Sequence, residues 1–296
     1  MNKKTIKVAL ILSAMVSSCS AGCSSARLEL QGQKEVKPDP VEKVLKQLRQ
    51  KTAELKSYQC LVEYEVNQPT FESKTLRKGI LYYKKAGNDS ALRINFRTFR
   101  QDDEKEEKYI DQYIIDGHWL TKINYEFDGV WLTHIDHQLK SVECHQLAEP
   151  NDPNEPVDAF ELVSRNFPIV GFTKVEDLKK EFEIKLVEQE KNKAEKFIQL
   201  HLKVKPDSVY KDDYTTIDFW IDKKLGLPAR IVAVATTEDA KLKGDILQLK
   251  FIKPKINKKI DEKVFGIKIP KGFGKPEIFP IKKAKKTEAS RPKTID

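Results

Sequence analysis

Five histidines (His118, His134, His137, His145 and His201) are the first side chains to weigh for chemistry. His134 and His137 stand three apart in a stretch that alternates as a strand, so they point to opposite faces. Cys144 and His145 are adjacent and diverge for the same reason. Zinc needs three or four converging ligands, and no such set forms, so no metal site is expected. Asp102-Asp103 and Asp212-Asp213 sit in polar stretches that read as solvated turns. No G-x-S-x-G elbow, Gly-rich phosphate loop or H-E-x-x-H occurs. No catalytic residue and no cofactor is assigned, and the chain reads as non-enzymatic.

One cysteine has a clearer chemical role. Residues 1–18 carry a cationic start (Lys3, Lys4, Lys7), a short apolar core from Val8 to Val16, and small residues, which is the layout of a secretory signal. The core is too short to cross a bilayer, which takes about 20 residues. Val16-Ser17-Ser18-Cys19 resembles the bacterial lipobox, and that resemblance implies an acyl lipid such as palmitate on Cys19 and a membrane-anchored lipoprotein facing the periplasm. Two other routes are open: lipidation at Cys23, or plain cleavage after Ala21 to give a soluble periplasmic protein. Export permits a disulfide between Cys60 and Cys144, and geometry must decide whether one forms.

Processing would leave about 270 of the 296 residues, room for one large domain or two small ones. The formal net charge is +9. Much of it lies in the signal lysines and in the basic tail 282–296, which reads as disordered, so the folded body is nearly neutral. A nucleic-acid interface needs a basic face on the domain itself, and none is expected.

The remaining elements set the scaffold. Residues 19–38 form the lipobox cysteine and a polar linker, and 39–281 form the domain. Asp39-Pro40 supplies an N-cap and a first-turn proline, and Val41, Val44, Leu45, Leu48 and Leu55 follow at helical spacing, which predicts a helix over 40–56. Alternation then predicts strands at 60–66, 75–84, 91–99, 108–115, 118–127 and 130–136, with Asp116-Gly117 and Asp128-Gly129 as tight turns. A proline-rich break at 149–156 precedes two short helices, 157–165 and 174–180. Five more strands follow near 181–189, 196–204, 214–222, 227–236 and 245–253. The pattern is mainly β (α+β): about eleven antiparallel strands in consecutive hairpins, one curved sheet with helices on one face.

Five segments arrive in an order that resembles the periplasmic outer-membrane lipoprotein carrier family (LolA/LolB-like, outer membrane lipoprotein-sorting proteins). They are LKQLRQKTAELKSYQCLVEYEV, GILYYKKAGNDSALRINF, IIDGHWLTKINYEFDGVWL, TTIDFWIDKKLGLPARIVA and VFGIKIPKGFGKPE, and together they span about residues 41–280. The resemblance implies an incomplete β-barrel whose helices cover the concave face, and acyl chains of a lipoprotein or lipid held between them. The partner would be an acylated lipoprotein or a lipid, and a monomer is expected. Candidate cavity residues are Val62, Tyr64, Ile80, Tyr82, Ile94, Phe96, Tyr113, Trp119, Ile123, Leu200 and Phe219, with Ile198 and Ile231 beside them. Carriers of this family latch the helical lid with an arginine near the end of an early strand. Lys84 and Lys85 stand at that turn here. Arg93 lies nearby, and alternation turns it away from Ile94. That departure, with the tether, weighs against free shuttling between membranes. The alternative is a non-catalytic envelope interaction module with a filled core.

Overall fold

The computed structural model describes residues 39–281, apart from 88, 117–128, 150–157, 164–166, 170–171, 173–174, 189–195 and 238–241. The signal segment, Cys19, the linker to residue 38, the strand expected at 118–127 with Trp119 and Ile123, and the basic tail lie outside the described residues.

Helix α1 (Pro40–Ala53) begins as the cap predicts. The Asp39 side chain accepts from the Val41 N–H at 3.0 Å, and Pro40 occupies the first turn. Val44, Leu45 and Leu48 form its buried stripe. Two antiparallel meanders follow. The first is β1 (Ser57–Gln68), β2 (Ser73–Ala86), β3 (Asp89–Gln101), β4 (Glu107–Asp116), β5 (Val130–Asp136) and β6 (Ser141–Ala148). The second is β7 (Phe182–Val187), β8 (Phe197–Val204), β9 (Tyr214–Asp222), β10 (Pro228–Ala235) and β11 (Ile246–Ile256). Short helices α2 (Ala159–Val163) and α3 (Val175–Glu181) lie between the meanders in the chain. A 3-10 turn (Glu262–Phe265) and β12 (Glu277–Phe279) end it.

All twelve strands join one sheet, in the order β12-β6-β5-β4-β3-β2-β1-β11-β10-β9-β8-β7. The sheet is mainly antiparallel and is not closed into a barrel, as expected of an incomplete curved barrel. Two features depart from consecutive hairpins. The meanders are joined by β1 pairing with β11, Val62 opposite Phe251, and β12 pairs parallel to β6. Strands β6 and β12 were not expected from the sequence.

The sheet buries both of its faces, by different means. On one face Tyr58, Leu81, Leu92, Leu200, Phe219 and Leu249 pack beneath the helices. On the other, Ile114, Trp131, Ile135, Val142 and Cys144 form a smaller core under Ile267, Ile269, Phe273 and Ile278 of the C-terminal strap. Free Cys60 and free Cys144 therefore sit in different cores. Gly79 shows how closely β2 and β3 approach: an added Cβ would collide with the Asn95 carbonyl oxygen.

Candidate ligand-binding face

The helix-covered face is assembled by strand register. Tyr58, Cys60 and Val62 of β1 stand opposite Tyr83, Leu81 and Gly79 of β2. Those β2 residues stand opposite Leu92, Ile94 and Phe96 of β3, and Ile94 stands opposite Tyr113 of β4. In the other meander Leu200 pairs with Phe219 and Phe219 with Ile231. Val62, Tyr64, Ile94, Phe96, Tyr113, Leu200 and Phe219, with Ile198 and Ile231, thus share this face, and all but the partly buried Tyr113 and Ile198 are fully buried.

Ile80 and Tyr82 do not belong to it. Ile80 stands opposite Leu61 and Tyr82 opposite Gln59 on the outer face, where Leu61 is 45% exposed. Leu81 and Tyr83 take their place. The run Ile80-Leu81-Tyr82-Tyr83 is apolar at both parities, so only pairing with β1 decides which pair turns inward.

Sequence reasoning also missed what lies over the face. Phe160 of α2, with Phe167 and Phe172 from the segment after it, presses three rings against the strands. Phe160 stacks on Tyr83 with centroids 4.3 Å apart and on Phe172 at 4.6 Å. Phe172 meets Tyr58 at 5.3 Å and Phe251 at 5.2 Å. Phe167 meets Tyr113 at 5.1 Å and Tyr64 at 5.5 Å. Three phenylalanines in thirteen residues were the available signal, but that stretch has no clean period. The described residues of this segment, 158–163, 167–169 and 172, are tied to the sheet by side chains and form no strand pairing. The Tyr83 hydroxyl donates to Asp158 Oδ2 at 2.6 Å, and the Ala159 N–H donates to Ser90 Oγ at 2.7 Å. α1 and α3 are joined by Lys179 with Glu42 at 2.7 Å and Arg49 with Glu176 at 3.0 Å.

The residues proposed as a lid latch are elsewhere. Lys84 pairs with Glu262 at 2.7 Å, and Lys85 is exposed. Arg93 donates to the carbonyls of Val264 and Gly266 at 2.8 and 2.9 Å. Lys84 and Arg93 therefore hold the C-terminal strap, because their strand positions face away from Leu81 and Ile94. The side chain that reaches the lid segment is Tyr83, one residue earlier.

Burial governs the ionisable groups here. It pushes the Cys60 thiol and the Tyr64 hydroxyl up to about 12. Burial and the neighbouring Asp158 raise Tyr83 far above its usual range. These groups stay neutral and suit an apolar guest. One polar cluster borders the face near β4–β6. His134 Nε2 lies 2.6 Å from Asp111 Oδ1, and Tyr113 stacks on the imidazole at 4.5 Å. Burial pulls His134 down, but the Asp111 hydrogen bond and the charges of Asp111, Glu143 and Asp136 outweigh it and raise its pKa. Among the described residues, no group of three or more His, Cys, Asp or Glu is placed to hold a metal ion.

Four cavities lined by described residues open on the outer face or at the strand ends, and none is lined by α2 or α3. Among the described residues no helix is long and apolar enough to cross a membrane.

No family model matches the chain, and no curated protein does. Solved structures of similar fold exist. A DUF1329 family protein from Desulfovibrio piger is 11% identical over 77% of this chain and 98% of its own, with a TM-score of 0.39. A putative outer membrane lipoprotein-sorting protein domain from Vibrio parahaemolyticus is 14% identical over 76% and 96%, with a TM-score of 0.35. A LolA superfamily protein from Nitrosomonas europaea is 12% identical over 76% and 97%, with a TM-score of 0.32. The chain is thus similar in fold to lipoprotein-sorting and LolA superfamily proteins. The likeness is of fold alone, and the reading of the site rests on its own geometry.

Proposed function

We propose that this chain is a non-catalytic binding protein of the cell envelope, exported and held at a membrane by a lipid on Cys19, that takes an acyl chain of a lipoprotein or lipid onto its helix-covered face. One observation carries the reading. An apolar sheet face is covered over β1–β4 and β11 by three phenylalanines of a segment whose described residues pack on the strands without pairing to them. Lifting that segment would uncover Val62, Tyr64, Ile94 and Phe96 together. A dozen acyl methylenes buried there contribute on the order of 10 kcal/mol, against roughly 1.5–3 kcal/mol for each phenylalanine displaced into water. Leu162, Val163 and Ile169 of the same segment are buried as well, so the exchange is near balance and is favourable where they stay covered as the rings move.

A second reading has its own observation. The three rings already occupy the face at native packing distances, as in an interaction module with a filled core. One experiment separates the two. The chain carrying Cys19→Ala and Cys23→Ala, which has no covalent lipid, is purified, extracted with organic solvent and examined by mass spectrometry, then titrated with a fluorescent fatty acid. Co-purified acyl lipid or saturable uptake supports the first reading. Absence of both leaves the filled-core module. Cell fractionation of Cys19→Ala alone tests the tether, since unchanged membrane association would refute lipidation there.

A further inference from the structure

Charge is segregated along the strands. The end where β1 begins and β2 and β11 finish carries Lys85, Lys253, Lys255, Lys258 and Lys259, all exposed. Lys85, Lys258 and Lys259, with Lys56, Lys84 and Lys263, line a hollow of about 890 Å³ at the rim, where six lysines outnumber two carboxylates, Asp261 and the Glu262 paired with Lys84. The turns at the opposite end, between β3 and β4 and between β8 and β9, carry Asp102, Asp103, Glu104, Asp207, Asp212 and Asp213. The near-neutral body is therefore polarised end to end.

The cationic end is also studded with apolar side chains on the outer face. Leu61 is 45% exposed and stands opposite Ile80 and Ile252. Further across the sheet, Phe197, Trp220, Leu225 and Pro228 line a groove of about 520 Å³. Cations border its rings: the Arg230 guanidinium is 4.4 Å from the Trp220 centroid, and the Lys196 ammonium is 5.0 Å from that of Phe197. Among the described residues the strap covers the outer face over β4–β6 and reaches β3 and β2 at Arg93 and Lys84.

We propose that this end of the outer face docks on an anionic phospholipid bilayer, with its lysines at the headgroup phosphates and Trp220, Phe197 and Leu61 at headgroup depth. The patch crosses six neighbouring strands, β2-β1-β11-β10-β9-β8, which is about 24 Å at the spacing of a sheet. That breadth suits a surface and far exceeds a free anion. Lysines are drawn to anionic leaflets, and amphipathic aromatic rings settle at the membrane interface. The acidic far end is repelled by the same surface, which fixes the orientation. The inference goes beyond acyl binding and does not depend on it.

The test is sedimentation of the Cys19→Ala, Cys23→Ala chain with phosphatidylcholine vesicles, with and without phosphatidylglycerol. Binding that requires phosphatidylglycerol is expected, with a blue shift of tryptophan fluorescence that Trp220→Phe removes. Reversing Lys253, Lys255, Lys258 and Lys259 to Glu lowers partitioning about a hundredfold or more. Reversing Lys105, Lys203, Lys211 and Lys243 near the opposite end makes the same charge change and leaves binding within a fewfold. Circular dichroism confirms that both variants fold. Equal binding to neutral vesicles, equal loss in both variants, or capture by soluble polyphosphate as tight as by vesicles with no blue shift overturns the proposal. Fatty-acid uptake is read separately, so failure of either proposal leaves the other standing.

Discussion

Asp158 holds the lid segment by two bonds, and their coupling can be measured. Its Oδ1 accepts from the Phe160 N–H at 2.9 Å, and its Oδ2 accepts from the Tyr83 hydroxyl at 2.6 Å. Asp158→Ala removes the cap of α2, about 1 kcal/mol. It also strands the hydroxyl of Tyr83, which is 3% exposed, at about 1–3 kcal/mol. A total loss of about 2–4 kcal/mol follows. Tyr83→Phe keeps the ring stacked on Phe160 and leaves a half-buried carboxylate that water can reach, so its cost is nearer 1 kcal/mol. In the double variant no hydroxyl is stranded, which predicts a coupling of about 1–2 kcal/mol between the two sites. Urea unfolding of the four proteins, followed by tryptophan fluorescence, gives the cycle. A coupling below about 0.5 kcal/mol would refute the bond as a latch. Both single variants are also expected to take up a fluorescent fatty acid faster. Unchanged uptake alongside the full stability loss would reduce Asp158 to a helix cap and remove the lid from the mechanism.

Three further outcomes follow from particular residues. His134 has its pKa raised in the fold, so its protonated form stabilises the protein below about pH 6.5, its unfolded value, and that contribution fades as pH rises through the folded value. His137 is lowered by burial and contributes in the opposite sense, so His134→Gln should leave urea midpoints that rise with pH up to about 6.5 and level off above it. Gly79→Ala puts a Cβ against the Asn95 carbonyl and should cost about 3 kcal/mol or more by calorimetry, whereas Gly87→Ala, at φ +63° with open space around it, should cost only about 1–2 kcal/mol. Cys60, pushed up to about 12 by burial, and Cys144, buried in the other core, should resist maleimide until the chain is unfolded, read by peptide mass mapping, and should not cross-link under oxidation.

What the sequence disclosed depended on how cleanly each signal was written. β1 alternates without ambiguity, so Val62 and Tyr64 fall on the helix-covered face as the period indicates, and Asp39-Pro40 marks the start of α1 to the residue. In β2 the apolar residues fall at both parities, and the choice between Tyr82 and Tyr83 rests on pairing with a strand that precedes it. The latch went astray for the same reason: a one-residue step separates the lid face from the strap face. β6 shows only Val142 and Cys144 on its apolar side, too few for a period. β12 is three residues long and exists because the strap carries it to the sheet edge. The β1–β11 pairing is long-range and has no local signature. Net charge misled in a different way, since a sum near neutrality is blind to lysines gathered at one end of the strands and carboxylates at the other.

The two faces together constrain how the protein would work at a membrane. The lid, with Phe160, Phe167 and Phe172, closes one face. The strap covers the other face over β4–β6 and is fastened at β3 and β2 by Arg93 and Lys84, while the β8–β11 half is cationic and, among the described residues, bare. A molecule lying on a bilayer through that bare half turns α1, α2 and α3 away from the lipid. An acyl chain could not then rise from the membrane beneath into the helix-covered face, because a paired sheet of twelve strands stands between them. It would have to arrive from the solvent side or around a sheet edge, carried by a partner that shields it. The proposed tether on Cys19 would then hold a receiving surface in place, with shielded delivery from solution as the step on which binding would depend.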